Sequence, residues 1–112
     1  MASCFADRLC VASRGTVNRN MSTEELVTCC GQCTNGGDGC QGGYLDSALE
    51  YVYKNGIVTG GDYKSKEGCK PYSVAPCKIN DCAPFTMAAA CRSECTNSKY
   101  IGEYEKDRYF GE

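Results

Sequence analysis

The sequence contains no histidine and no tryptophan among its 112 residues. Without histidine the chain cannot form a Cys–His or Ser–His pair, so the most frequent general base of enzymes is missing. No apolar run approaches the roughly 20 residues that a membrane-spanning helix needs. The 12 basic and 14 acidic side chains nearly balance, whereas phosphate binding requires a basic face. The sequence therefore predicts neither membrane insertion nor binding to nucleic acid.

Cysteine is the abundant residue instead. The chain has 11 cysteines, a density typical of disulfide scaffolds in short secreted proteins. We therefore expect an oxidising compartment, either secreted and extracellular or endolysosomal. The residues after Met1 do not resemble a signal peptide, so this interpretation requires a lost leader or a larger precursor. Because the number is odd, at least one thiol is free or pairs outside the chain.

Three segments have helical periodicity. Residues 2–12 place four apolar side chains at helical spacing, namely Ala2, Phe5, Ala6 and Leu9. Residues 22–29 begin with a capping box, Ser22-Thr23-Glu24-Glu25, and Met21 and Leu26 are placed as a hydrophobic staple. Residues 44–54 carry an i, i+3, i+4, i+7 stripe of Leu45, Ala48, Leu49 and Val52, followed by an Asn55-Gly56 stop.

The remaining segments are predicted to be loops. Residues 30–43 are glycine-rich, residues 57–98 contain repeated glycine and proline turn signals, and the tail 99–112 is expected to be extended. The predicted fold class is a single, mainly α, small disulfide-rich domain over residues 1–112. Three short helices bury little apolar area, so the fold should depend on its disulfides.

Two further patterns leave alternatives open. The Cys30-x-x-Cys33 spacing suits zinc, and Cys91 or Cys95 could complete a ligand set, but four thiolates would be needed. From the residues alone, zinc binding and disulfide bonding both remain open for these cysteines. Asn20-Met21-Ser22 is a glycosylation sequon, which makes Asn20 a candidate site of modification in a secreted chain.

Five stretches together resemble the cathepsin B-like members of the papain family of cysteine peptidases. They are ADRLCV, STEELVTCCG, GDGCQGGY, NGIVTGGDY and GCKPYSVAPC. The resemblance covers nearly the whole chain and implies the helical left half of the papain fold. It places the nucleophilic cysteine before Met1, and the histidine and asparagine after Glu112. It therefore implies no catalytic residue within this chain.

The resemblance also assigns roles to particular residues. Cys40-Gln41-Gly42-Gly43 corresponds to a strip that lines the substrate cleft, so Gln41, Gly42, Gly43 and Tyr44 are the candidate substrate-binding residues. Glycines there let the backbone of a peptide approach closely. The implied disulfides are Cys30–Cys33, Cys29–Cys91, Cys69–Cys95 and Cys77–Cys82. This framework accounts for the cysteines with zinc spacing, so we expect no metal and no cofactor. Cys4, Cys10 and Cys40 remain as unpaired or intermolecular candidates.

One departure from the family pattern affects the expected activity. Only Lys78-Ile79-Asn80-Asp81 separates Cys77 from Cys82, where cathepsin B has a longer occluding loop with two histidines. The carboxylate-gripping chemistry of that loop is therefore absent.

We expect a catalytically incompetent cathepsin B-like domain, secreted and disulfide-stapled, that binds other molecules rather than acting as an enzyme. Its partner would be a protein or peptide at the face left by the missing half, and a homodimer is a further possibility. One alternative is a fragment of an active peptidase whose catalytic residues lie outside this chain. Another is a structural module of an extracellular protein.

Overall fold

Three α-helices form the framework of the protein in a computed structural model, which describes residues 2–33, 43–78 and 90–110. Helix α1 is Ala2–Ala12, α2 is Thr23–Cys29 and α3 is Leu45–Asn55. Single 3₁₀ turns occur at Gly31–Cys33 and Tyr104–Lys106. The described residues contain isolated β-bridges rather than a sheet. Among them no helix has the length and apolarity to cross a membrane. The predicted mainly α, disulfide-rich fold class is confirmed.

The predicted apolar face of α1 faces the core. Ala2 and Ala6 are buried, and Phe5 and Leu9 pack beside them against a shared cluster. The other buried members of this cluster are Met21, Val52 and Ile57. The small alanines let the helix lie close to its neighbours, while the two larger side chains cover the edges of the contact.

Half of the predicted capping box forms at the start of α2. The Ser22 hydroxyl accepts a hydrogen bond from the Glu25 backbone N–H at 3.0 Å, as an N-cap should. The reciprocal bond from Glu25 back to Ser22 is replaced. The Ser22 N–H donates instead to the Val58 carbonyl at 2.8 Å, and the Glu25 carboxylate turns to Lys70 and Tyr104. Met21 and Leu26 pack in one cluster, as the staple requires.

Half of the apolar stripe on α3 is buried. Ala48 and Val52 are buried, but Leu45 and Leu49 are 68% and 56% exposed. Tyr51 takes the place expected for the leucines, because its ring packs against Cys30 and Cys33. The larger aromatic surface thus rotates the buried face toward positions 48, 51 and 52. The helix ends as predicted, with Gly56 at a positive φ of 77°.

An extended segment from Ile57 to Gly61 connects the other parts of the chain. On one side Ile57 exchanges two backbone hydrogen bonds with Tyr109, each 2.9 Å long. On the other side the Gly60 N–H donates to the Asn20 carbonyl at 3.0 Å, and the Lys70 N–H donates to the Thr59 carbonyl at 2.9 Å. A Cβ atom at Gly60 would lie 2.0 Å from the Lys70 carbonyl oxygen, so only glycine fits there.

The expectation of an extended tail is wrong for its described part. Tyr104–Lys106 form a 3₁₀ turn, and both Tyr104 and Asp107 are buried. The Asp107 carboxylate accepts hydrogen bonds of 2.7 Å from the backbone N–H and from the hydroxyl of Thr59. It also accepts a hydrogen bond from the Tyr100 hydroxyl. The carboxylate needs these three donors once it is buried, and they fold the tail back onto the central segment.

Three disulfides join described residues, and one of them ties α2 to a loop. They are Cys29–Cys91, Cys30–Cys33 and Cys69–Cys95, with sequence separations of 62, 3 and 26 residues. These are three of the four pairs that the family resemblance implies. Cys77 is also disulfide-bonded, and its expected partner Cys82 lies outside the described residues. Cys29–Cys91 closes the longest loop of the three and therefore constrains the unfolded chain most.

We predict that Ser22→Ala destabilises the protein by about 2–3 kcal/mol, because it removes an N-cap and leaves buried groups unsatisfied. The Ser22 hydroxyl is fully buried and also donates to the Lys70 carbonyl at 2.7 Å. Urea unfolding with intact disulfides measures the loss. The control is Ser3→Ala, an exposed serine on α1, which should change stability by less than about 0.5 kcal/mol. Equal effects of the two substitutions would contradict the role of Ser22.

We predict that Asp107→Asn destabilises the protein by about 3 kcal/mol, since hydrogen bonds to a charged acceptor are lost or weakened. The amide brings a donor to a place where three donors already converge. Thermal unfolding followed by circular dichroism tests this, with the exposed Asp62→Asn as the matched control. A melting temperature equal to that of the control would show that the tail is held by other contacts.

Candidate functional site

The candidate binding strip is described in its second half. Cys40, Gln41 and Gly42 lie outside the described residues, whereas Gly43 and Tyr44 are both exposed. Tyr44 has an extended backbone, with φ −117° and ψ 126°, and its side chain is 56% exposed. This backbone geometry is that of a strand, and the ring of Tyr44 is open to solvent.

The strip is anchored to a disulfide. The Tyr44 N–H donates to the Cys33 carbonyl at 2.7 Å, and the Tyr44 carbonyl accepts from the Ala48 N–H at 3.2 Å. Cys33 is joined to Cys30, and both cysteines are buried against α3. The bridge and the helix therefore fix the direction of the backbone at Tyr44.

An exposed apolar stripe continues from the strip along α3. Leu45, Leu49 and Tyr53 follow each other at four-residue spacing and are 68%, 56% and 60% exposed. Together with Tyr44 they form one side of the helix, which we call the α3 stripe. Contiguous apolar surface of this kind is unusual unless it contacts another molecule.

A buried ionic network joins α2 to Lys70 and Tyr104. Glu25 and Lys70 are 1% and 2% exposed, and the Lys70 ammonium lies 3.3 Å from Glu25 Oε1. The Tyr104 hydroxyl donates to the same oxygen at 2.8 Å. The ammonium also lies 5.1 Å from the centre of the Tyr104 ring, which adds a cation–π contact. Three distant parts of the chain thus meet at one carboxylate.

This environment keeps the neighbouring phenols neutral. Burial, followed by the hydrogen bond to Glu25, raises the pKa of Tyr104 far above its ordinary value. Burial and the negative charge of Glu25 raise the pKa of Tyr51 to about 12. Neither phenol therefore ionises near neutral pH. We therefore interpret the network as a structural support for the strip and the tail.

The network was missed by sequence reasoning. Glu25 was assigned to the capping box, and Lys70 carried no signal except its position beside Cys69. Fully buried lysine and glutamate are rare, so composition gives little reason to pair them. The sequence gives one weak signal for this pair. Glu25 lies one helical turn before Cys29 and Lys70 follows Cys69, and the resemblance assigns both cysteines to disulfides.

Cys4 and Cys10 are the free cysteines among the described residues. Cys4 is exposed and Cys10 is partly buried, and both lie on α1. The chain has no histidine, the residue that most often activates a nucleophilic thiol.

The cysteine spacing that suits zinc is used by disulfides. Cys30 and Cys33 are bonded to each other, and Cys91 and Cys95 are bonded elsewhere, so these sulfurs are not thiolates. Glu25, Cys29 and Cys91 place donor atoms within 4.8 Å of one another. The Lys70 ammonium contacts two of these three residues, and a positive charge there opposes a metal ion.

The sequon is divided between exposed and buried positions. Asn20 is exposed, and its side-chain amide donates to Glu67 Oε1 at 3.1 Å. The Ser22 hydroxyl, which completes the sequon, is buried and holds two hydrogen bonds. In the folded chain the Asn20 amide is therefore accessible, whereas the serine that completes its recognition sequence is buried.

Comparison with known proteins places this geometry in a family. The sequence model described as "Papain family cysteine protease" matches residues 1–111. The chain is 41% identical to cathepsin B-like cysteine proteinase 4 of Caenorhabditis elegans, covering 98% of the chain and 34% of that relative. It is 40% identical to a gut-specific cysteine proteinase of the same organism, covering 98% of the chain and 32% of that relative.

The chain spans about a third of the length of the curated relatives it matches. The match runs through α1, the disulfide-linked loops and α3, and hence includes every element of the candidate site. This chain belongs to the papain family of cysteine proteases and resembles its cathepsin B-like members.

Proposed function

We propose that this chain is a peptide-binding, disulfide-stapled domain of cathepsin B type that has no catalysis of its own. The observation that carries the proposal is the exposure of Gly43 and Tyr44, with Tyr44 held by the Cys33 carbonyl, in a chain without histidine. The proposed binding edge is the glycine backbone before Tyr44, whereas the thiolate–imidazole chemistry has no imidazole.

Binding would use main-chain hydrogen bonds. An extended peptide would lie beside residues 41–43 as an added strand, and glycines at positions 42 and 43 offer no Cβ to obstruct it. The exposed ring of Tyr44 packs against a side chain of the peptide. One wall of a cleft gives few contacts, so we expect a dissociation constant of about 1 mM, near −4 kcal/mol.

A protein partner would cover the α3 stripe. The three exposed side chains Leu45, Leu49 and Tyr53 present an apolar surface that continues the strip. The partner would be another protein or a second copy of this chain, and exposed Cys4 could link such a dimer covalently. Three disulfides and the cathepsin-like relatives point to an oxidising compartment, for which we propose secretion or an endolysosomal location.

A second candidate function is supported by the relatives. Several are cysteine proteinases by name, and this chain matches about a third of their length. On this alternative the chain is the helical half of an active peptidase, and the nucleophile and its histidine come from outside these 112 residues. The role of the strip and of the disulfides is the same in both cases.

We predict that the 112-residue chain hydrolyses no dipeptidyl fluorogenic substrate and takes up no thiol-directed epoxide at an active site. The physical reason is that the chain has no histidine to pair with Cys4 or Cys10. Turnover that persists through repurification and disappears in Cys4→Ser would contradict the prediction. Activity in a longer form that adds a histidine-bearing half would favour the second candidate.

We predict that Gly43→Val abolishes binding of a blocked, extended hexapeptide, because a branched side chain on the strip keeps the peptide backbone away. Backbone amide shifts in NMR titrations detect binding in the millimolar range. The control is Gly31→Val, a glycine whose added Cβ meets no atom within 4 Å. If Gly43→Val leaves the fold and the binding unchanged, the strip is only a turn that leads into α3.

A further inference from the structure

The two sulfur atoms of the Cys29–Cys91 disulfide lie in different environments. Cys91 is exposed to solvent, whereas Cys29 is half-buried at the end of α2. The Lys70 ammonium, itself 2% exposed, donates a hydrogen bond to Cys29 Sγ at 3.5 Å. One end of the bridge is therefore open to attack, and the other end is held beside a buried positive charge.

The other two described disulfides lack this arrangement. Cys30 and Cys33 are both buried, so neither sulfur is accessible. Cys69 is fully buried and its partner Cys95 is partly buried. Within the described ranges no lysine or arginine donates a hydrogen bond to any of these four sulfurs. The combination of an exposed sulfur and a cation is confined to Cys29–Cys91 among these three bridges.

The buried ammonium favours a thiolate at Cys29. A lysine next to a cysteine stabilises the charged form of the thiol, and thiolates leave faster when they are stabilised. The Glu25 carboxylate opposes this effect, because it lies within 4.8 Å of the sulfur and carries a negative charge. The Lys70 ammonium donates a hydrogen bond to Cys29 Sγ at 3.5 Å. Its attraction for a thiolate at Cys29 therefore outweighs the repulsion from the Glu25 carboxylate.

We propose that Cys29–Cys91 is a thiol-exchange site, at which a small thiol becomes covalently attached to Cys91. The attacking thiol first loses its proton to solvent. Its thiolate forms a new sulfur–sulfur bond with Cys91 Sγ, the Cys29–Cys91 bond breaks, and Cys29 leaves as a thiolate beside Lys70. The number of disulfides is conserved, so this step needs no separate oxidant or reductant.

Exchange at this site would act locally. The segment around Cys91 remains tied to the loop through Cys69–Cys95, four residues further along. The end of α2 keeps the Glu25–Lys70 contact. Opening the bridge therefore releases residues near Cys91 from α2 and leaves the remaining described contacts in place, so that a thiol can be attached without unfolding.

The test uses the native 112-residue chain and glutathione as the small thiol. Samples are quenched with acid, alkylated and digested, and mass spectrometry locates the glutathione adduct and the alkylated thiol. We expect the first adduct on Cys91 and the first alkylated thiol at Cys29. Adduct on Cys29, or earlier opening of Cys69–Cys95, would overturn the proposal.

Three variants separate the role of the charge from that of stability. Glu25→Gln should speed the opening of Cys29–Cys91, because it removes the opposing charge. The double variant Glu25→Gln/Lys70→Met should slow it by about tenfold, since the stabilising cation is gone. Lys70→Arg keeps the cation and should retain most of the wild-type rate.

The rate of opening of Cys69–Cys95 in the same molecule is the internal reference. General destabilisation would speed the opening of both disulfides together. The proposal instead requires that the ratio of the two opening rates, Cys29–Cys91 to Cys69–Cys95, rises in Glu25→Gln and falls in the double variant. If the double variant does not fold, the position of the first adduct in the native chain decides the question, because Glu25→Gln also leaves Lys70 buried without its carboxylate. An unchanged ratio would show that Lys70 has no part in the reactivity of the bridge.

Discussion

The buried Glu25 carboxylate is the constraint on which the described structure most depends. A charge that is 1% exposed is tolerable only if it is paired, and its partners come from two remote segments: Lys70 from the loop and Tyr104 from the tail. Losing one member would leave the other charge buried and unpaired, which typically costs about 3–5 kcal/mol. Correct folding therefore requires these segments to meet.

Ser22 and Glu25 bind different parts of Lys70 at the start of α2. In a complete capping box these two residues would satisfy each other. Here Ser22 caps the helix and also binds the Lys70 carbonyl, while Glu25 binds the Lys70 ammonium. Lys70 is thus held by both its backbone and its side chain. The loop beside the disulfides is fixed by the first turn of one short helix.

The helices could be predicted from the sequence because periodicity and end signals are local. Helix α1 and its buried face followed from alanine and leucine spacing, and α3 ended at Gly56 as expected. The buried face of α3 could not be deduced, since Tyr51 competes with Leu45 and Leu49 for the same contact and only the surrounding packing decides. The folded tail depended on Asp107 finding donors at Thr59, a contact between residues 48 positions apart. Of the candidate strip, Gly43 and Tyr44 followed from the resemblance, whereas the Cys33 carbonyl that anchors them had no sequence signal.

The burial of the Ser22 hydroxyl has a consequence for the timing of modification. An oligosaccharide can be transferred to Asn20 only while Ser22 is accessible, which means before α2 is capped and packed. In a secreted chain, glycan attachment and folding would therefore compete for the same nascent chain. The fraction of molecules that carry sugar at Asn20 would then report how slowly the start of α2 folds.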